Sequence, residues 1–118
     1  MKTYRTALLT LGLTAFAGSA QAQLIVVGKG PATQCYDYAF AGNKGTQTAL
    51  ETCSSALENV ITKKNRAATH VNRGLLYMRK GDQEKAIIDF TSAIEIRPKL
   101  TQAYVNKAAS LILSLIHI

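Results

Sequence analysis

The side chains best suited to nucleophilic or metal chemistry in this chain are two cysteines, Cys35 and Cys53, and one internal histidine, His70. Two thiols without further ligands make a poor metal site. Catalysis by either thiol needs a positioned base, and nothing in the spacing brings His70 to a thiol. In an oxidising compartment a disulfide is favoured over two buried thiols. We therefore expect no catalytic residue and no metal ligand.

Other catalytic patterns are also missing from the sequence. Gly28-Lys29-Gly30 is not a phosphate-binding loop, because the Walker pattern needs an earlier glycine and a following Ser or Thr. The seven acidic residues are isolated along the chain, and one internal histidine does not make a triad. His70 falls on a packing face, which favours a structural role. The sequence predicts a protein that is not an enzyme and binds no cofactor.

The first residues have the pattern of an export signal. Lys2 and Arg5 precede an apolar run from Ala7 to Ala17, and the small-x-small site Ala20-Gln21-Ala22 follows. The alternative is a membrane anchor, but the apolar run is about half the roughly 20 residues that span a bilayer. We expect a signal peptide over residues 1–22, cleavage after Ala22, a periplasmic location and no stable membrane anchor afterwards.

Charge is a weak guide to the partners of this chain. The 118 residues carry a formal net charge of +7, which falls to +5 when Lys2 and Arg5 leave with the signal. The other basic residues are scattered, apart from those at 63, 64 and 66. Aromatic and basic residues do not interleave, so the stacking platform of a single-strand binder is missing. We expect one small domain that binds no nucleic acid.

Downstream of the signal the chain has the pattern of short helices. Residues 23–31, a β-branched run followed by turn formers, are expected to form an extended lead-in. From Ala32 the composition is helical as far as Pro98. The expected breaks are at residues 42–45, near residues 63–65 and at residues 81–82. Side chains that recur at three- and four-residue steps share one face of the last of these helices: Ala86, Ile87, Phe90, Ala93, Ile94 and Arg97.

The ends and faces of two helices are marked most clearly. Asp82 is expected to cap the helix that follows it, and Pro98 is expected to stop that helix and start the next. In the preceding helix Gly74 lies three residues before Tyr77, and a small residue there lets a partner helix approach closely. Because neither helix hides its apolar stripe alone, we expect the two to pack antiparallel across the turn at residues 81–82.

The sequence also repeats itself. Residues 70–74 match residues 104–108 in type at a shift of 34, and a period of this length is typical of helical solenoids. Residues 67–100 resemble a tetratricopeptide repeat at its small, aromatic and proline positions, which are Gly74, Tyr77, Gly81, Ala86, Phe90, Ala93 and Pro98. The resemblance implies an all-α fold, in which tetratricopeptide-repeat helical hairpins stack as a short right-handed solenoid.

A degenerate repeat precedes this one. Residues 49–58 resemble residues 86–95 at a shift of 37, so we interpret residues 32–66 as a degenerate helix pair of the same kind. Its first helix is expected over residues 33–41. Two antiparallel helices joined by a short loop bring Cys35 beside Cys53, which predicts a disulfide that contributes roughly 3 kcal/mol by loop closure.

The C-terminal end differs from the rest. Residues 101–112 are interpreted as the first helix of a further repeat, and residues 113–118 look foreign. Permissible codons for these last six residues reproduce the mosaic-end adapter that transposase attaches to sequencing libraries. We expect residues 113–118 to be adapter read-through, so that the solenoid is truncated. A true apolar C-terminal helix is the alternative.

The resemblance implies an interaction scaffold whose concave surface, formed by the first helices, binds a protein or peptide partner. Asn72 and Asn106 can each donate and accept hydrogen bonds, which suits an extended peptide backbone, and Arg79 suits a carboxylate. The residues implied for partner binding are Val71, Asn72, Leu75, Met78, Arg79 and Asn106. An equal alternative is that this pattern is common to such repeats whatever they bind. Some members of this family clamp the terminal carboxylate of a partner with several Lys, Asn and Arg side chains. In this chain only Asn72 fits that pattern well, because Gln102 and Asn106 replace basic residues.

Two other functions stay open at this point. The repeats are also consistent with the N-terminal targeting region of a longer exported enzyme, which only sequence beyond Ile112 distinguishes from a scaffold. A weaker alternative is a self-stacking structural repeat, which concentration-dependent sedimentation tests.

Overall fold

The computed structural model describes residues 24–26, 30–59 and 61–116. The predicted signal peptide and the last two residues of the predicted adapter segment lie outside this range. Within the described residues, five helices follow one another: α1 (Pro31–Phe40), α2 (Gln47–Glu58), α3 (Lys63–Lys80), α4 (Gln83–Ile96) and α5 (Thr101–Ile116). The predicted all-α helical repeat fold is confirmed.

Three helices begin at a side-chain cap. Thr46 accepts a hydrogen bond from the Ala49 amide at the start of α2, and Asp82 accepts one from the Lys85 amide at 3.1 Å at the start of α4. Such caps satisfy amide groups that have no partner inside the helix. The predicted cap at Asp82 is confirmed.

The third cap moves a helix boundary. A break was expected near residues 63–65, but α3 begins at Lys63, because Thr62 accepts a hydrogen bond from the Asn65 amide at 3.1 Å. Arg66 then reaches back to the end of α2, where its guanidinium donates to the carbonyl oxygens of Leu57 at 2.8 Å and Asn59 at 3.3 Å. The break therefore lies before residue 63, and α2 is tied to the first turn of α3.

Helices α1 and α2 form a hairpin closed by the Cys35–Cys53 disulfide. Helix α1 begins at Pro31, two residues before the expected start, because the fixed φ of proline suits the first helical position. The loop between the two helices lies against α3: at Gly45, where φ is 77°, an added Cβ atom would overlap the carbonyl oxygen of Leu76. This close approach places the hairpin on α3.

Helices α3 and α4 form a second hairpin. Gly81, with φ 94°, ends α3; its amide donates to the Met78 carbonyl at 3.1 Å, and the Asp82 amide donates to the Tyr77 carbonyl at 2.9 Å. The expected antiparallel packing is found. The core that holds this hairpin to the start of α5 consists of Ala67, Val71, Leu75, Met78, Ala86, Phe90, Ala93, Leu100 and Ala103.

Helix α5 packs mainly against α4. Pro98 lies in the turn before this helix: α4 ends at Ile96 and α5 begins at Thr101, the residue at which a further helix was expected to begin. The amide of Leu100 donates to the Arg97 carbonyl at 3.0 Å, so a short turn separates the two helices. In the described part of the chain, no helix combines the length and the hydropathy that crossing a membrane requires.

Candidate interaction site

The apolar residues expected to line a groove lie in the core. Val71, Leu75 and Met78 are all buried, and they pack against residues of α4 and α5. The face of α3 on which they lie is the face that closes the second hairpin. In the described conformation these three side chains hold helices together, and their role in binding a partner stays a prediction.

Asn72 is also buried, but its amide group binds the backbone of another residue. Its Nδ2 donates to the carbonyl oxygen of Leu24 at 3.0 Å, and its Oδ1 accepts from the amide of the same residue at 3.2 Å. One side chain therefore satisfies both backbone groups of one residue that lies 48 positions away in sequence. The chain itself provides the backbone that Asn72 binds here, and the role of Asn72 in binding a partner stays a prediction.

The bound segment has the alternation of an extended strand. Val26 is buried at 6% exposure, Leu24 is half-buried, and Ile25 between them is 68% exposed. In extended backbone, successive side chains point to opposite sides. Leu24 packs against two of the buried clusters, and Val26 joins Ala56 and Ala68 in one of them. The segment thus uses every second side chain to contact the helices.

The other polar residues expected in the site have different places. Asn106 lies on α5 at 2% exposure. Arg79, near the end of α3, donates from Nη1 to the carbonyl oxygen of Ala39 at 2.7 Å and, more weakly, to that of Asn43 at 3.4 Å. Burial lowers the pKa of Arg79. This guanidinium holds the C-terminal end of α1 against α3, and its predicted role as a carboxylate ligand is untested.

A polar cluster that the sequence did not predict lies between α2, α3 and α4. Asp89, buried on α4, receives two hydrogen bonds from Arg73, from Nε and Nη2, each at 2.8 Å. Its Oδ1 also lies 2.9 Å from Nδ1 of His70. Arg73 reaches further to the Ser54 hydroxyl at 3.0 Å. The acids are isolated along the sequence, but folding gives Asp89 two basic partners.

The electrostatics of this cluster favour a structural role. Burial disfavours the charge of Arg73, yet the hydrogen bonds and the charge of Asp89 outweigh it, so the pKa of Arg73 is raised. Arg73 also lies over the Tyr77 ring, 5.9 Å from its centroid. The Ser54 hydroxyl is bound by the guanidinium and the imidazole is bound by Asp89, which is not the arrangement of a nucleophile and its base. The partners lie 16 to 19 residues apart in sequence, so no local sequence pattern indicated this cluster.

Two further features bear on chemistry and binding. Across residues 24–26, 30–59 and 61–116, no group of three His, Cys, Asp or Glu side chains is placed to hold a metal ion.

The outward face of α5 exposes large apolar side chains: Tyr104, Val105, Leu111, Ile112, Leu115 and Ile116. Adjacent exposed apolar residues on one helix form the kind of patch that marks contact with another surface.

Comparison with known proteins relates part of the chain to a family. Residues 67–100 match the family model described as Tetratricopeptide repeat. These residues hold all of α3 except its first turn, all of α4 and the turn before α5, so the match covers Asn72 and the side chains of His70, Arg73 and Asp89. No curated protein and no solved structure matches the chain.

Proposed function

We propose that this chain, which carries a tetratricopeptide repeat at residues 67–100, is an exported, non-enzymatic scaffold that binds an extended segment of a partner protein. The observation that carries the proposal is the pair of hydrogen bonds between the Asn72 amide and the backbone of Leu24. A side chain that satisfies both backbone groups of an extended residue offers the same two bonds to a partner in that conformation.

The repeat supports the binding part of the proposal. A tetratricopeptide repeat suggests an interaction module for other proteins. Paired helices that stack side by side present a long surface made of first-helix side chains, and α3 is the first helix of the matched hairpin. Hydrogen bonds to the backbone of a bound segment give affinity that does not depend on its sequence. Specificity comes from neighbouring apolar pockets that accept particular side chains.

The chemistry of the side chains supports the non-enzymatic part. Asp89 binds both His70 and Arg73, and Arg73 also binds Ser54, so the ionic groups that folding brings together are used for packing. The two cysteines form a disulfide, and a disulfide suits an oxidising compartment such as the periplasm. The export signal expected over residues 1–22 supports the same location.

A capture experiment tests the proposed site. The immobilised chain is exposed to a bacterial periplasmic extract, and retained proteins are quantified by mass spectrometry. We expect Asn72→Ala to lose specific proteins that the unmodified chain retains. The matched control is Ile88→Ala, which changes an exposed side chain on α4 and should retain them. If both variants retain the same proteins in equal amounts, the surface around Asn72 is rejected as the binding site.

A further inference from the structure

We propose that residues 24–26 are an internal competitor that occupies the partner site, so that the chain is autoinhibited until a similar segment of a partner displaces them. This inference rests on the proposed function and adds to it the chemical class of the ligand and a means of regulation. The ligand class is an extended segment with apolar side chains at alternate positions.

The hydrogen bonds identify what Asn72 recognises. Its amide pairs with the amide and the carbonyl of the same residue, Leu24, at 3.2 and 3.0 Å. Any residue in extended conformation offers this pair of groups except proline, which has no amide hydrogen. A displacing segment therefore needs a residue other than proline at the position that faces Asn72.

The side chains of the segment add the selectivity. Leu24 packs between two clusters that contain Ala67 and Ala68, and Val26 is buried beside Ala56. Ile25 points away and is 68% exposed. The surface therefore fits an apolar residue, then any residue, then a β-branched or other mid-sized apolar residue.

The position of the segment makes it displaceable. It precedes α1, which begins at Pro31, so it is tethered at one side by a short connection. If the signal is removed after Ala22 as expected, one residue separates Leu24 from a free N-terminus. Such a segment leaves its site without opening any helix, while its tether gives it a high effective concentration. The apparent affinity for a partner is then the affinity of the open site multiplied by the fraction of molecules in which the site is open.

The test uses the purified chain in the N-terminal form that cells produce, and the fluorescein-labelled peptide Gln-Leu-Ile-Val-Val-Gly, which copies residues 23–28. Fluorescence anisotropy measures its dissociation constant. Leu24→Asp releases the internal segment, and Ile25→Asp is the matched control because its side chain is exposed. We expect the peptide to bind Leu24→Asp at least tenfold more tightly than it binds the unmodified chain or Ile25→Asp. Adding Asn72→Ala to Leu24→Asp should abolish this gain.

A second measurement does not depend on releasing the segment. In the unmodified chain, Asn72→Ala should accelerate hydrogen exchange of the Leu24 amide at least tenfold, because that amide loses its acceptor, while circular dichroism shows that the helices remain. Unchanged exchange would overturn the assignment of Asn72 as the residue that binds the segment.

The outcomes separate this inference from the proposed function. Equal, measurable peptide binding by Leu24→Asp and Ile25→Asp would overturn autoinhibition and leave a peptide site in place. No binding by Leu24→Asp would overturn the ligand class, and the capture experiment with Asn72→Ala would then decide the proposed function independently. A concentration-dependent dimer that Leu24→Asp dissolves would show that the segment occupies a second copy, which would also overturn internal competition.

Discussion

Gly74 lies directly against the ring of Phe90: a Cβ atom at Gly74 would lie 2.6 Å from Cε1 of that ring. Phe90 is fully buried, so the ring has little room to move. We expect Gly74→Ala to destabilise the chain by about 1 to 2 kcal/mol, because overpacking costs about 1 to 3 kcal/mol and the better helix propensity of alanine recovers only part of it. Urea unfolding followed by circular dichroism measures the change.

A double variant checks the cause of that loss. Phe90→Leu alone should be destabilising, but combined with Gly74→Ala it should give a smaller loss than the sum of the two single losses, since the shorter side chain removes the clash. Additive losses would mean that the Phe90 ring is not what excludes a side chain at Gly74.

The buried carboxylate of Asp89 gives a second prediction. Asp89→Asn removes the charge that Arg73 and His70 face, and we expect a loss of about 2 to 3 kcal/mol in the free energy of unfolding. The full penalty for breaking a buried pair is about 3 to 5 kcal/mol, but the Arg73 side chain keeps 21% exposure and regains some hydration. Asp37→Asn, on the exposed side of α1, is the control and should change stability little. A similar loss in both variants would contradict the role given to this cluster.

The disulfide gives a third prediction. Cys35 and Cys53 are 18 residues apart in sequence, and closing a loop of this length contributes about 3 kcal/mol in the chain-entropy account. Thermal unfolding with and without reductant should show a clear fall in the midpoint on reduction. The double variant Cys35→Ser with Cys53→Ser should match the reduced chain and be insensitive to reductant. Alkylation of both thiols in material that was never reduced would rule out the bond.

Arg79 distinguishes a structural role from a binding role. Because its guanidinium donates to the Ala39 carbonyl at the end of α1, we expect Arg79→Ala to destabilise the α1–α2 hairpin by about 1 to 3 kcal/mol. Its neighbour Lys80 is exposed, and Lys80→Ala is the control. Loss of partner capture by Arg79→Ala without any loss of stability would instead support the carboxylate-binding role.

Export is tested by the mass of the chain and its location. Expressed in a bacterium with its own N-terminus, the chain should be recovered from the periplasmic fraction, and its mass should correspond to a first residue of Gln23. Ala22→Lys should block processing, because a small residue is required at that position of a signal-peptidase site. Unprocessed chain in the cytoplasmic fraction would contradict the predicted localisation.

The helical repeat was predictable because its signals are local. The turn at Gly81, the cap at Asp82 and the apolar periodicity of α4 each depend on residues within a few positions of one another, and together they specify a hairpin. The match of residues 67–100 to the tetratricopeptide repeat model follows from the same local pattern. The helix starts were predicted less accurately. Thr62 and Pro31 mark the true starts, but nearby glycines and lysines are boundary signals of similar strength.

What the sequence determined by itself is therefore the fold class and the type of repeat, because helix periodicity and capping are encoded over one or two turns. Only the tertiary structure decided the environment of Asn72, which pairs with Leu24 across 48 positions, and of Asp89, which pairs with Arg73 across 16. Partners so far apart share no local pattern. Which buried polar groups meet depends on how α3 packs against both of its neighbouring helices and against the extended segment.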